Sequence, residues 1–458
     1  MAQELIISIS GMRGLIGENL FPETAAAYGS AFGSFLKQRH TNEKKLSVAI
    51  GRDSRPSGSM IFSAVASGLA AVGVDVVDLG ICSTPAVGVM LRQLNCRGGI
   101  VITASHNPTP YNGIKLLLEN GIAPPKEMAD QIIEMYRQRK VAFVGALDCG
   151  SININHEANQ IHANKVLSII DKEKIVSKRF KVVLDSVNGA GGPEAVLLLE
   201  TLGCEVICMN TEPTGVFAHT PEPTAENLVT LCQKVAETGA DIGFAQDPDA
   251  DRLAMVDETG RYIGEEFTLA FASKYIFSQM PGSAAANLST SRMIDDIAAQ
   301  AGCSVIRTPV GEANVANAMV ANNCVIGGEG NGGIIDLRVG PIRDSLVGMA
   351  LALALLTDTN KTVSQLAAEV GGYAMHKSKY PADKNQAAAI IKKTKAVLRD
   401  ACVNDSDGCR FDLPDGWIHI RTSNTEPIMR VIIEAQNPET AQHYIEQIES
   451  ICRDVLNS

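Results

Sequence analysis

The chain lacks the signatures of several broad protein classes. Its 11 cysteines are odd in number and scattered. The closest pair is Cys204 and Cys208; no Cys-x-x-Cys occurs, and no histidine stands nearby. This argues against a zinc framework and points to free thiols in a reducing compartment. Positive charge is in deficit: 40 Lys+Arg against 51 Asp+Glu gives −11. Nucleic acid and anionic membranes are therefore not expected as partners, although local arginines can still hold a small anion. No apolar run reaches the ~20 residues of a membrane span. The longest, LVGMALALALL (346–356), follows Arg343-Asp344-Ser345, an N-cap-like start, and predicts a core helix. No basic segment precedes an apolar one in MAQELIISIS, so no signal peptide is predicted and a cytoplasmic location is expected. NGAGG (188–192) is not a dinucleotide fingerprint, because Glu194 stands where the third spaced glycine belongs. Gly-x-x-x-x-Gly-Lys is missing as well, which argues against a P-loop.

What is present is alternation. KLSVAIG, FKVVLD and AAANLST each read as a strand, followed by a polar turn, a helix and a further β-rich run. Three such βαβ-like units in 458 residues predict three related α/β domains. The last stretch reads helix, strand GWIHIRTS, strand IMRVIIEAQ, helix, which predicts a small α+β domain. The expected divisions are 1–152, 153–258, 259–369 and 370–458.

Four stretches carry chemistry. In VITASHNPTPYNGIKL (101–116) a run of β-formers delivers Ser105, His106 and then Lys115, a set that suits a nucleophile or phosphate carrier. In DIGFAQDPDADRLAMVDETG (241–260) a strand-like run ends at Asp247, with Asp249 and Asp251 at alternate positions and Arg252 closing the group. Carboxylates this close repel unless a cation sits among them, and hard oxygen donors favour Mg²⁺. An EF-hand is disfavoured, because its sixth position should be glycine and is Arg252. A phosphatase with an aspartate nucleophile and a solvated acidic turn remain open on this segment alone. In WIHIRTSNTEPIMRV (417–431) hydroxyl and backbone donors of Thr422, Ser423, Asn424 and Thr425 lie between Arg421 and Arg430, a nest for phosphate or an ordinary hydroxyl-rich turn. GEGNGG (328–333) has Glu329 and Asn331 as its only side chains, and its glycines allow a ligand close to the backbone.

Taken in order, SGMRGLIGE (10–18), TASHNP (103–108), DPDADR (247–252), GEGNGG and RTSNTEP (421–427) resemble the motifs of the α-D-phosphohexomutases, the phosphoglucomutase/phosphomannomutase/phosphoglucosamine mutase superfamily. The resemblance spans the whole chain. It implies three similar α/β domains with mixed sheets plus a C-terminal α+β domain around a central cleft. It also implies that Ser105 carries a phosphoryl group bridged by Mg²⁺ to Asp247, Asp249 and Asp251, with Arg13 and Arg252 offsetting charge. Lys115 and His106 are the expected proton-transfer or charge-stabilising groups. Arg421, Ser423, Asn424, Thr425 and Arg430 are expected to hold the non-reacting phosphate. Glu329, Asn331, Arg252 and Gly311 are expected to meet the sugar, and Glu312 an amino group. The implied ligands are a sugar monophosphate and a sugar 1,6-bisphosphate that serves as intermediate and activator. The expected assembly is a monomer or a homodimer. Many members read Gly-Glu-x-Ser-Gly-His in the sugar loop, where this chain has Asn331 and Gly333, so that histidine's role cannot be carried over. The Gly-Glu-Gly-Asn-Gly-Gly form resembles archaeal-type phosphoglucosamine mutases. This favours glucosamine phosphate over mannose or glucose phosphate, with a Mg-dependent sugar phosphatase or a non-catalytic binder as other classes.

Overall fold

The computed structural model describes residues 5–9, 11–422 and 428–456. The first sheet has strands β1 (Ile6–Ser8), β2 (Gly11–Leu15), β3 (Leu46–Arg52), β4 (Val74–Ile81), β5 (Gly98–Ile102), β6 (Tyr111–Leu118) and β7 (Ile152–Ile154), in the order β1-β2-β6-β5-β3-β4-β7. The second has β8 (Lys181–Asp185), β9 (Glu205–Met209), β10 (Ile242–Gln246) and β11 (Leu253–Asp257), in the order β11-β10-β8-β9. The third has β12 (Ser283–Asn287), β13 (Ser304–Thr308), β14 (Ile326–Glu329) and β15 (Gly333–Ile335), in the order β13-β12-β14-β15. The last has β16 (Ala374–Pro381), β17 (Cys402–Asn404), β18 (Cys409–Leu413), β19 (Gly416–Thr422) and β20 (Ile428–Ala435), in the order β16-β20-β19-β18-β17. The fold is α/β with a C-terminal α+β unit, as the alternating pattern predicts.

One design repeats in the first three sheets. Parallel strands joined by helices form the core, and one central strand then turns back into an antiparallel partner: β5 into β6, β10 into β11, β14 into β15. β5, β10 and β14 are buried along their whole length, which is why they read as continuous apolar or small-residue runs. The turn after each is where a chemistry-bearing motif sits. TASHNP follows β5, DPDADR follows β10 and GEGNGG spans the end of β14. The all-antiparallel fourth sheet repeats the device with β19 and β20. Residues of the first three turns and Arg421 and Arg430 of β19 and β20 line one cleft of about 330 Å³.

The predicted core helix is Ser345–Thr359, buried on all sides through most of its length. Asp344 caps it, its carboxylate accepting from the N–H groups of Leu346 and Val347. The other oxygen of Asp344 meets His162 Nε2 at 2.7 Å, and His162 Nδ1 lies 3.1 Å from Glu194 of helix Gly192–Thr201. This fully buried triad joins the second α/β unit to the third. Burial works against the imidazolium, but Asp344 and Glu194 more than offset it and push His162 up to about 10.

The unfolded chain loses the His162 proton near pH ~6.5, whereas the folded chain keeps it to about 10. The stabilisation is therefore complete below pH ~6.5 and declines as pH rises through about 10. Thermal melts between pH 6 and 10.5 are expected to fall more steeply for the native chain than for His162→Gln. At pH 7 the variant should be less stable by ~3–5 kcal/mol, because two carboxylates lose their buried counter-ion.

Candidate active site

The Ser105 turn is fixed from behind by a buried arginine. Arg55 forms an ion pair with Asp53 at 2.9 Å, both side chains being inaccessible. Its guanidinium then donates to the carbonyls of Ser105, Asn107, Pro108 and Tyr111 at 2.6–3.0 Å. Asp53 also accepts from Thr103 Oγ1 at 2.6 Å, and Thr103 Oγ1 accepts from Ser105 N. This grip holds Ser105 in the left-handed region at φ +51°, a conformation a serine does not choose unaided. The hydroxyl of Ser105 faces Asp247 at 3.3 Å and His106 Nδ1 at 3.4 Å. Arg13 reaches the same turn through Asn107 Oδ1 at 2.7 Å.

The aspartate turn is built with similar care. Asp247, Asp249 and Asp251 are wholly buried, and one oxygen from each lies within 4.8 Å of the others. Ala250 adopts φ +54°, so the short turn can present all three carboxylates inward. NGAGG packs against its back: Ala190 N donates to Pro248 O, and a Cβ on Gly189 would stand 2.7 Å from Pro248 Cα. Those glycines serve close backbone approach.

Three residues from outside the turn counter its charge. Lys115 Nζ lies 2.6 Å from Asp249 and 3.6 Å from Asp251. Thr84 Oγ1 donates to Asp249 at 2.6 Å. Arg343 bridges Asp251 and Glu329 at 2.5 and 2.6 Å. Burial opposes the charge on Lys115, but Asp249 and Asp251 overcome it and hold the ammonium protonated. Burial together with Asp251 and Asp249 pushes Asp247 well above the carboxylate range. For Asp249, Lys115 and the Thr84 hydroxyl outweigh burial and keep it ionised. One oxygen each of Asp249 and Asp251 is buried with no hydrogen-bond partner. Two buried carboxylate oxygens without a partner, in a trio that can bring one oxygen from each residue within 4.8 Å of the others, fit a hard divalent ion.

The cleft's far wall is cationic. Lys379 on β16, Arg430 on β20 and Arg421 on β19 are register partners, making a row of three positive groups across neighbouring strands. All three line the cleft. Like charges placed directly opposite are unfavourable unless an anion lies among them. Asp407 offsets Arg421 at 3.0 Å. Ser423, Asn424 and Thr425 lie outside the described residues.

Glu329, Gly330 and Asn331 of the GEGNGG stretch also line the cleft. Glu329 is buried and accepts from Arg343, Asn287 Nδ2 and Gly311 N. Gly311 thus spends its N–H on Glu329. Asn331 lines the cleft and turns its carbonyl back to Gly333 N at 3.2 Å. Glu312 accepts from the backbone N–H of Arg343 at 2.7 Å, and the Arg343 side chain reaches Asp251 of the aspartate turn. Arg252 stands at 3.7 Å from Glu222 and 3.9 Å from Asp251. His106 is driven down to about 2 by burial and by Arg252 and Arg13, so it is neutral at pH 7.

The structure thus brings together Ser105, His106, Lys115, Arg13, the three aspartates and Arg252 on one side, and Arg421 and Arg430 on the other. Sequence reasoning missed Arg55, Thr84, Arg343 and Lys379. RDSRPSG follows β3 and held the signal for Arg55, an arginine two residues after an aspartate, but reads as an ordinary polar turn. The alternate lysines of HKSKY were the available signal for Lys379.

Because Asp247 is held above its unfolded pKa, its carboxylate costs stability at neutral pH. Asp247→Asn is expected to melt at or above the native temperature without Mg²⁺. It should also lose most of the upward shift that Mg²⁺ gives the native chain. Differential scanning fluorimetry with and without Mg²⁺ checks both outcomes.

The chain matches the phosphoglucomutase/phosphomannomutase family over four consecutive segments: α/β/α domain I at 5–142, domain II at 160–260, domain III at 265–373 and the C-terminal domain at 377–451. A phosphoglucomutase/phosphomannomutase of Thermococcus kodakarensis is 38% identical over 441 residues, 95% of this chain and 96% of the relative. A probable phosphoglucosamine mutase of Methanopyrus kandleri is 34% identical over 448 residues, 97% of each. The crystal structure of a phosphoglucomutase/phosphomannomutase family protein from Burkholderia thailandensis superposes with a TM-score of 0.86 at 27% identity, covering 98% of this chain and 97% of that one. Among the described residues no helix is long and apolar enough to cross a membrane. This chain belongs to the phosphoglucomutase/phosphomannomutase family, on the archaeal-type branch of the α-D-phosphohexomutases, isomerases that act as intramolecular phosphotransferases.

Proposed function

We propose that the chain interconverts the 1- and 6-phosphates of a hexose through phospho-Ser105 and a 1,6-bisphosphate, with glucosamine phosphate as its substrate. One observation supports this reading: Ser105 Oγ sits 3.3 Å from Asp247 of the buried carboxylate trio, and the neighbouring His106 and Arg252 line the same cleft as the Lys379–Arg430–Arg421 row. On this reading the Ser105 side of the cleft is the catalytic pole and the cationic row is the phosphate grip.

Asp247, Asp249 and Asp251, with Ser105, would hold Mg²⁺. When bound, the ion neutralises phosphate charge and makes the phosphorus a better electrophile. A phosphoserine adds ~−1.5 to −2 charge, which Arg13, Lys115 and Arg252 help to offset. A sugar hydroxyl attacks the phosphorus, and the bond from phosphorus to Ser105 Oγ breaks. Lys115, kept protonated by Asp249 and Asp251, supplies the proton that Oγ needs. His106, neutral and beside Oγ, takes the proton of the attacking hydroxyl, its basicity raised by the phosphate it faces. The bisphosphate turns around, and Ser105 takes back the other phosphoryl group. Arg421, Arg430 and Lys379, with Ser423, Asn424 and Thr425, grip whichever phosphate is not reacting. Glu329, Asn331, Gly311 and Arg252 face the sugar. The 2-ammonium of glucosamine would meet the cleft's carboxylates, which include Glu222, Glu265, Glu266 and Glu329. Solved structures of the same fold from Aspergillus fumigatus, N-acetylphosphoglucosamine mutases at 13–14% identity, hold glucose 1,6-bisphosphate in one case and GlcNAc-6P with magnesium in another.

Several curated relatives are named probable phosphoglucosamine mutases, which supports the amino sugar. The relative at 38% identity is named phosphoglucomutase/phosphomannomutase, which supports glucose or mannose phosphate as the second reading. ³¹P NMR with Mg²⁺, a trace of bisphosphate and each 1-phosphate in turn separates them. A 6-phosphate resonance is expected to grow fastest from glucosamine-1-phosphate, and Ser105→Ala should lower the rate by more than ~10³-fold. Release of inorganic phosphate alone would replace a mutase with a phosphatase. Fastest turnover of glucose- or mannose-1-phosphate would replace the sugar.

A further inference from the structure

We infer that the chain has a second anion site, separate from the cleft, that takes a small organic phosphate with an apolar body. A cavity of about 720 Å³ lies where the three α/β units meet. Helix Thr84–Gln93 of the first unit, helix Ala158–Leu167 of the second and the segment after β15 in the third all line it. It shares no lining residue with the cleft. Its volume falls in the range of small-molecule sites, ~300 to ~1,000 Å³.

The charge of the lining is one-sided. Its ionisable side chains are Arg92, Lys165 and Arg338, all cationic, in a chain whose net charge is −11. Arg338 is paired with Asp336 at 2.5 Å. Among the described residues, Arg92 and Lys165 form no ion pair. Arg92 Nε donates to Gly88 O at 2.9 Å and Nη2 donates to Val339 O at 2.5 Å, which ties the first unit to the third. Among the described residues its Nη1 has no acceptor. Burial pulls the Arg92 pKa down, and no carboxylate raises it again. A half-buried guanidinium without a carboxylate is costly, and an anion in the cavity offsets that cost. Three cations against one carboxylate leave a double positive charge, which matches a phosphate monoester at ~−1.5 to −2.

The rest of the lining selects the body that carries the phosphate. Val89, Ile161, Leu337 and Val339 supply an aliphatic wall. Such a wall favours an apolar or flat group over bare phosphate or a polyhydroxylated sugar. The site also sits on the joints of the fold. Helix Ala158–Leu167 carries His162 of the buried triad, and Arg338 shares with Arg343 the segment between β15 and helix Ser345–Thr359. An occupant touching all three units binds one arrangement of them best, so it stabilises the folded chain.

Isothermal titration calorimetry of the full chain with phenyl phosphate, AMP and inorganic phosphate tests this. At least one of the two esters is expected to bind below ~1 mM, ~10-fold tighter than inorganic phosphate, and to raise the melting temperature. Lys165 and Ser168 are exposed at the cavity's lip. Lys165→Glu combined with Ser168→Asp should weaken the ester by ~10-fold or more and leave mutase turnover unchanged. Arg421→Ala, which weakens the cleft's cationic row, should leave this binding in place. Three results overturn the inference. One is that neither ester binds below ~1 mM. Another is that inorganic phosphate binds as tightly as the esters. The third is ester binding that the lip variant does not weaken; if it is then lost in Arg421→Ala, it belongs to the cleft.

Discussion

Three carboxylates forced into one dry space are the constraint on which the rest of the structure depends. Asp247, Asp249 and Asp251 have no solvent to share their charge. Isolated buried ions cost several kcal/mol each, so the fold must supply compensation from elsewhere. It does so across domain lines. Lys115 and Thr84 come from the first α/β unit and Arg343 from the third, both meeting a turn of the second. The cost of the cluster is thus converted into a tie that fixes three domains around one point. The His162 triad repeats the logic a short distance away, with Asp344 next to Arg343 in the chain.

The charge pattern of the cleft follows from that anchor. The negative pole is paired with Ser105, which Arg55 holds in a strained backbone state. The positive pole is a row of side chains on adjacent antiparallel strands. Protein side chains already offset part of each charge, Lys115 and Arg343 at the first pole and Asp407 at the second. Arg343 ties the carboxylate trio to the cleft lining, since it touches Asp251 with one nitrogen and Glu329 with another.

Much of this was legible in the sequence because each motif follows a buried strand. VITASHNP and GFAQDPDADR announce themselves as apolar runs that end abruptly in polar groups, and the structure shows both as the turn where a parallel strand meets an antiparallel partner. The same geometry carries GEGNGG. What stayed hidden depends on contacts distant in sequence. Thr84 lies 165 residues from Asp249, and Arg343 lies 92 from Asp251. Nothing in CSTPAV or GPIRDS marks either one as an electrostatic partner. Arg55 was missed because its work is done on backbone carbonyls, which have no signature in sequence. The purpose of NGAGG, letting one turn lie against another, emerges only from packing.

The most direct test of the account follows the phosphoryl group itself. Protein carrying ³²P on Ser105 would be mixed with glucosamine-6-phosphate and Mg²⁺ and quenched at intervals shorter than one turnover. The account predicts that label leaves the protein and appears first in sugar bisphosphate, before either monophosphate is labelled. Label that stays on Ser105 while the sugar isomerises, or that leaves as inorganic phosphate, would contradict it.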